Sequence, residues 1–425
     1  MGKTVIYSDK NIIVQTILSF SLLLFSGANF CVAAEKVTVL LHTIQLSGKY
    51  RAVLADLVDE FNLENTQITL EYIVENNEIY HEKRKTCLQD PHCPVDIYLG
   101  FAGYNFVQNV AHKKIEAIDD IWQQEALDLY FSRVKKSISF EGKQYGLPIS
   151  YYPWGFFYNK SIFKNLKLTP PKTWSEFLTI CERVKAANLV PILIGTKTPF
   201  PAASWFSYLN LRLHGLKFHM QLTSGRAAYT DKKVRQTFEF WKNLIDQNYF
   251  NDNHNQLTYS DALPYLYRGL GSMYLMGNIV LSKIPEKIKS DIGYFRFPTI
   301  NPSIPLYEEV PLDIFFIPKQ SKHKKAAKKV LTFFSRPDIS YRYNEAAGYL
   351  SPNEQSKKSN DKLVRITSEH LKSTAGFSYF FNRNSPPEMG RPGTKLLGHF
   401  MSTRNIKLTI QKFEALREKV VSIEE

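Results

Sequence analysis

Catalytic signatures are what this chain of 425 residues lacks. It holds no G-x-S-x-G, no H-E-x-x-H and no Walker loop, which leaves out the usual serine hydrolase, zinc protease and P-loop arrangements. Gly269-Leu270-Gly271 lacks the third glycine and the strand context of a dinucleotide fingerprint. Asp313, Glu308 and Glu309 are carboxylates, yet no spacing marks one as acid and another as base, as a glycosidase requires. There is no internal repeat and no low-complexity linker. Beyond the N-terminus no stretch is apolar enough to cross a bilayer.

Cysteine is also scarce, with four in the chain. Cys87 and Cys93 enclose the short loop Cys-Leu-Gln-Asp-Pro-His-Cys, which an oxidising compartment would close as a disulfide. With His92 the pair also suggests a metal, but no second ligand pair follows at zinc spacing, so no metal is expected and the disulfide is preferred to free thiols. Cys181 shares a helical face with Phe177 and Val184 and reads as core. Cys31 falls in the N-terminal segment, where Asn29 and Phe30 are too large for a lipobox. There Lys3 and Lys10 flank a basic start, Ile12 to Phe25 is apolar, and Val32-Ala33-Ala34 supplies small residues before Glu35. This reads as a secretory signal over 1–34, because an apolar run of about 14 residues is too short to span a membrane.

What the chain has in quantity is hydrophobic and aromatic residues, 44% and 14%, enough for two domains or more. Its net charge is +14, falling to +13 without the signal, which holds two lysines and one aspartate. Such a balance suits an anionic partner or is a solvated surface without a partner. Lysines 319, 322, 324, 325, 328 and 329 sit opposite the apolar face of a helix over 322–334 and read as solvated rather than as a phosphate site.

The informative stretch is Tyr145 to Phe177. Gly146 and Pro148 interrupt it, Ile149 to Tyr158 reads as one strand, and Thr173-Trp174-Ser175-Glu176 spells a capping box. Upstream, the strand 36–41, the helix 50–62 and the strand 68–74 form a βαβ opening, which argues for a helix-covered, mostly parallel sheet. Ligands at such sheets bind beyond the carboxyl ends of the strands, where His42 stands. Tyr151, Tyr152 and Trp154 are rings that Gly and Pro hold away from regular pairing. Trp205 and Tyr208 lie on one side of a helix beginning near Pro199, Phe206 and Leu209 on another, so one side is expected to pack and the other to face a ligand. Rings suit the apolar surface of a ligand, and Asp313, in a strand over 310–318, is a possible hydroxyl acceptor. Trp241, on the amphipathic helix 231–249, reads as core.

YGLP at 145–148, YNKSIF at 158–163 and PPKTWSEF at 170–177 are followed by IPKQSKHKKAAKKVLTFFSRPD at 317–338 and GYLSP at 348–352. In that order and spacing they resemble the bacterial extracellular solute-binding proteins of family 1, periplasmic sugar receptors of ABC importers related to maltose-binding protein. Two motifs depart from the family: Ala117 replaces the proline of L-x-P-I-D, and Asn278 stands near the place of a tryptophan that often meets the sugar. The resemblance implies an α/β, two-lobed periplasmic-binding-protein fold, each lobe a mixed, mostly parallel sheet flanked by helices, with a ligand cleft between them. It places lobe 1 at 35–147 plus 300–348 and lobe 2 at 148–299 plus 349–425. By family position it adds Phe101, Gly103, Tyr104 and Asn278 to the ligand contacts. It further implies a periplasmic monomer without cofactor or nucleic acid, which closes on a carbohydrate and meets a permease with its ATPase. The alternatives are a receptor for a sugar phosphate or other anionic solute, a secreted carbohydrate-active enzyme, and a polyanion-binding surface protein.

Overall fold

A computed structural model of the protein describes residues 36–44 and 48–424. The expected signal segment, with Cys31, lies outside the described residues. In chain order the strands are β1 (Val37–Ile44), β2 (Ile68–Glu75), β3 (Ile97–Phe101), a short hairpin of β4 (Ser139–Phe140) and β5 (Lys143–Gln144), and β6 (Leu147–Tyr151). They continue as β7 (Trp154–Asn159), β8 (Val190–Leu193), β9 (Gly271–Gly277), β10 (Ile292–Phe295), β11 (Tyr307–Glu309), β12 (Leu312–Phe316) and β13 (Gly376–Ser378). One sheet runs β2-β1-β3-β12-β6 and another β10-β7-β9-β8, with β11 and β13 paired apart.

The βαβ opening forms as its pattern dictates. β1 and β2 pair in parallel through the helix Gly48–Glu64, whose Tyr50, Leu54, Leu57, Val58 and Phe61 are buried. Both main sheets are mixed, with less parallel pairing than that opening suggests. In the first, β1 pairs in parallel with β2 and β3, while β12 is antiparallel to β3 and β6. In the second only β8 and β9 are parallel.

Each sheet carries its own apolar core, one assembled from residues 39–149 and 312–347, the other from 152–310 and 350–420. The chain passes between them near 151–154, 310–312 and 347–350. The single strand expected over 149–158 is two, because Pro153 has no N–H to give a ladder and the chain changes sheets there. Residues 148–151 therefore belong with the first core, since β6 pairs with β12, and 307–310 with the second, since β11 pairs with β13. The expected division at 147/148 falls about four residues before the first crossing, and that at 299/300 about eleven before the second. Tyr151 and Leu350 exchange two backbone hydrogen bonds, 3.1 and 2.9 Å, which tie the first crossing to the third.

Local signals hold the flanking helices. Thr173 accepts from the Glu176 amide at 3.3 Å, and the Glu176 carboxylate accepts from the Thr173 amide at 3.0 Å, closing the capping box of the helix Trp174–Ala186. Cys181 on that helix is buried. Cys87, at the end of the helix Asn77–Cys87, is bonded to Cys93. Several of the lysines near 322–334 pair with acids: Lys319 with Glu116, 2.8 Å, and Lys328 with Asp120, 2.7 Å.

The helical segment Phe200–Thr223 bends at Gly215, and its residues 201–213 are buried on every side in the second core. A helix apolar all round is a core element, so it has no second side for a ligand. Its Ser204 and Ser207 lie near Glu309, but without hydrogen-bond geometry, and both Glu309 oxygens have no partner among the described residues. Burial pushes Glu309 up to about 8, against the weaker pull of the two hydroxyls and Arg383.

Two predictions follow from these features. The disulfide closes a loop with a sequence separation of six. Restricting the unfolded chain in that way contributes about 2 kcal/mol. Reductant should therefore lower the urea midpoint of the wild type and leave Cys87→Ser/Cys93→Ser unchanged; equal midpoints for both proteins without reductant would refute the bond. For Glu309, the folded state keeps a proton between the ordinary value of 4.5 and about 8 that the unfolded state releases. Its contribution is complete below that window and is lost as pH rises through it, at a rate of up to about 1.4 kcal/mol per pH unit. Urea titrations at pH 5, 6.5 and 8 should show this decline in the wild type and a flatter profile in Glu309→Gln.

Candidate ligand-binding site

Where β3 ends, the sheet register sets Phe101 opposite Asp313 of β12, and Asp313 opposite Ser150 of β6. This is the carboxyl end of β3, where open α/β sheets take their ligands. From the second core, Arg383 reaches across to the same point. Its guanidinium donates to Asp313 Oδ1 at 3.1 Å and to Tyr152 Oη at 2.6 Å. Its carbon lies 3.7 Å from the Phe101 ring centroid, a close cation–π contact. Tyr152 Oη donates in turn to Asp313 at 3.4 Å, and its ring stacks on Tyr349 at 4.8 Å.

Backbone geometry holds the two sides together. The Tyr104 amide donates to the Arg383 carbonyl at 2.9 Å. Gly103 has φ +126°, and a Cβ there would stand 2.5 Å from the same carbonyl oxygen, so only glycine fits. Asn105 Nδ2 reaches the Ser385 carbonyl at 3.5 Å.

Asp313 and Arg383 are largely withdrawn from water, with side chains 10% and 14% exposed. Burial pushes the Asp313 carboxyl up to about 6, and the Arg383 charge limits the rise. Asp313 is thus ionised at neutral pH, paired with a permanent cation. Aromatic faces, a carboxylate, a phenol and a guanidinium meet here in the mixture that polyhydroxylated ligands require.

Five of the residues expected from the sequence assemble at this point: Phe101, Gly103, Tyr104, Tyr152 and Asp313. Tyr151 does not join them. Neighbouring residues of an extended segment point to opposite sides, and Tyr151 lines a cavity of about 480 Å³ with Arg133 and Glu354, which Tyr349 also borders. Trp154 is fully buried, edge-on to Phe380 at 4.7 Å. Trp205 and Tyr208 are core rings. Trp205 packs among Phe156, Phe250 and Phe297, and Tyr208 stacks on Phe297 at 4.9 Å while its hydroxyl donates to the Trp154 carbonyl at 2.7 Å. Asn278 is buried and donates to Thr367 at 2.9 Å. His42 is buried inside the first core, 3.7 Å from Glu75 and edge-on to Tyr80, and burial lowers its pKa. These five have no free surface to offer a ligand.

Arg383, Tyr349 and Phe380 were not anticipated. Arg383 shortly precedes the Pro/Gly-rich stretch 385–393, which suggests a break in a helical region but is taken up by the helix Pro387–Thr403, so it gives no sign of Arg383. Its partners lie 70 and 231 residues away, a distance that no local pattern reports.

Residues 46–339 match the bacterial extracellular solute-binding protein family. The chain is 25% identical over 265 residues to an uncharacterised ABC transporter extracellular-binding protein of Pyrococcus horikoshii, covering 61% of this chain and 58% of the other. It spans about half the length of the curated relatives it matches. A chitin oligosaccharide binding protein shares its fold with a TM-score of 0.82 at 21% identity, covering 90% of this chain and 98% of the other. The solute receptor AcbH, described as having an exclusive preference for β-D-galactopyranose, has a TM-score of 0.80 at 23% identity, covering 90% and 99%. The family and these solved neighbours are binding proteins. With a match extending across more than half of its length, this chain belongs to the bacterial extracellular solute-binding protein family.

Proposed function

We propose that this protein is the periplasmic solute receptor of an ABC importer, one that captures a carbohydrate and performs no chemistry on it. The observation that carries the reading is the junction itself: Phe101 and Asp313 from one core and Arg383 from the other converge on one point. A solute held there touches both cores and favours their approach, the differential contact that drives hinge closure. The lobes of this movement are 36–151 plus 312–348 and 152–310 plus 349–424. The closed form is the species a membrane permease and its ATPase would recognise, and a monomer suffices for the task. Family membership and the saccharides named for AcbH and the chitin oligosaccharide binding protein support the ligand class. The Cys87–Cys93 bond suits an oxidising compartment.

The test is a thermal-shift screen of mono-, di- and oligosaccharides, with hits measured by calorimetry. A ligand at 100 times its Kd stabilises by about 2.7 kcal/mol, a readily visible shift. Phe101→Ala should weaken the best hit by about tenfold or more, as loss of an aromatic contact with an apolar sugar face predicts. If no saccharide moves the midpoint and the protein instead binds polyanions with a steep salt dependence, the receptor reading fails and the basic surface takes its place.

A further inference from the structure

Charge around Phe101 does not balance. Arg383 is neutralised by Asp313. Arg391 stands 3.7 Å from Glu82. Arg84, from the helix Asn77–Cys87, has its guanidinium carbon 6.0 Å from the Phe101 ring centroid and 5.3 Å from that of Tyr80. Among the described residues it has no carboxylate partner. It donates to the Leu99 carbonyl at 3.0 Å, lies 3.3 Å from His81 Nδ1, and is in hydrogen-bonding reach of the Tyr80 hydroxyl. A guanidinium carries five donors in a rigid fork, so Arg84 keeps capacity for an oxyanion.

The neighbouring imidazole senses the same field. His81 lies 5.8 Å from the Phe101 ring and is pushed down to about 3, chiefly by burial and then by Arg84, Arg391 and Arg383. It is neutral at physiological pH and cannot add to the positive charge. Of the three arginines that act on His81, Arg383 and Arg391 each face a carboxylate and Arg84 does not.

We propose that the carbohydrate taken at this junction bears an oxyanion, and that Arg84 receives it beside Phe101. The proposal rests on the saccharide reading above and narrows it. A ring of the ligand packs on aromatic surface, and its anionic substituent meets the guanidinium, whose geometry suits a carboxylate or phosphate in two-point contact. A single excess charge matches a single carboxylate, so the form favoured is a uronic acid residue; a sugar phosphate shares the same oxyanion chemistry.

Calorimetry on matched pairs decides it: galacturonate and glucuronate, their oligomers of two to four units, and hexose phosphates, each against its neutral parent. An acidic member should bind about tenfold or more tightly than its parent, and raising salt should narrow that gap. Arg84→Gln should bring the ratio close to one, while Arg84→Lys should restore part of it. A carboxylate winning over a phosphate supports the uronate, and the reverse supports the phosphate form. Neutral parents binding as tightly as the acids would overturn the proposal and leave the saccharide reading intact, whereas no binding by either class would overturn both. A ratio unchanged in a folded Arg84→Gln would remove Arg84 from the role. If that variant does not fold, the ratio and its salt dependence in the wild type still decide the ligand class.

Discussion

The guanidinium of Arg383 is the constraint on which the junction depends. Asp313 sits in a central strand with almost no access to water, where an isolated carboxylate would be costly. Arg383 and Tyr152 offset that cost with directed hydrogen bonds, and the geometry of each is imposed by a different segment of chain. Removing one partner from a buried ion pair typically costs about 3–5 kcal/mol, mainly because the other charge is left unpaired. The contact is therefore better read as a device that fixes position than as a source of net stability. It places Phe101, Tyr152 and Arg383 within reach of one another, and Gly103 lets the backbone come close enough for this to happen.

Aromatic residues serve two different purposes in this molecule, and only their surroundings distinguish them. Trp205, Tyr208, Phe156 and Phe297 form a continuous cluster of edge-on and stacked rings inside the second core. Phe101 and Tyr349 are half-buried at the junction. A ring on a helix near its N-terminus looks the same in sequence whether its helix is packed on one side or on all. That is why Trp205 and Tyr208 read as ligand contacts and proved to be core. The strand-end rule singled out His42, which is core, while Tyr152, chosen as a ring beside Gly and Pro, and Asp313, chosen as a carboxylate in a strand, meet at the junction.

Local chemistry was readable wherever a short segment decides the outcome. The Thr173–Glu176 capping box and the amphipathic helix expected over 50–62 both follow from residues within a turn or two of one another, whereas the break at Pro153 was passed over in favour of a single strand. Long-range pairing was not readable. The alliance of β11 with β13, and the arrival of Arg383 beside Asp313, join segments about 70 residues apart that carry no signal for each other. Arg84 was hidden for a different reason. A basic residue near the end of a helix has an ordinary role there, and its lack of an acidic partner becomes visible only when the surrounding charges are placed.

The order of strands in the first sheet carries a consequence for how the molecule comes into being. β12 lies between β3 and β6, yet it is followed in the chain by little more than helices and the short β13. The four strands of the second sheet are all present once residue 295 has been made; the first sheet stays split until residue 316 arrives. A chain growing from its N-terminus must therefore keep β1, β2, β3 and β6 waiting, with a gap at the centre of their sheet, while the whole of the other sheet is synthesised. The sheet whose strands begin first is the later of the two to close.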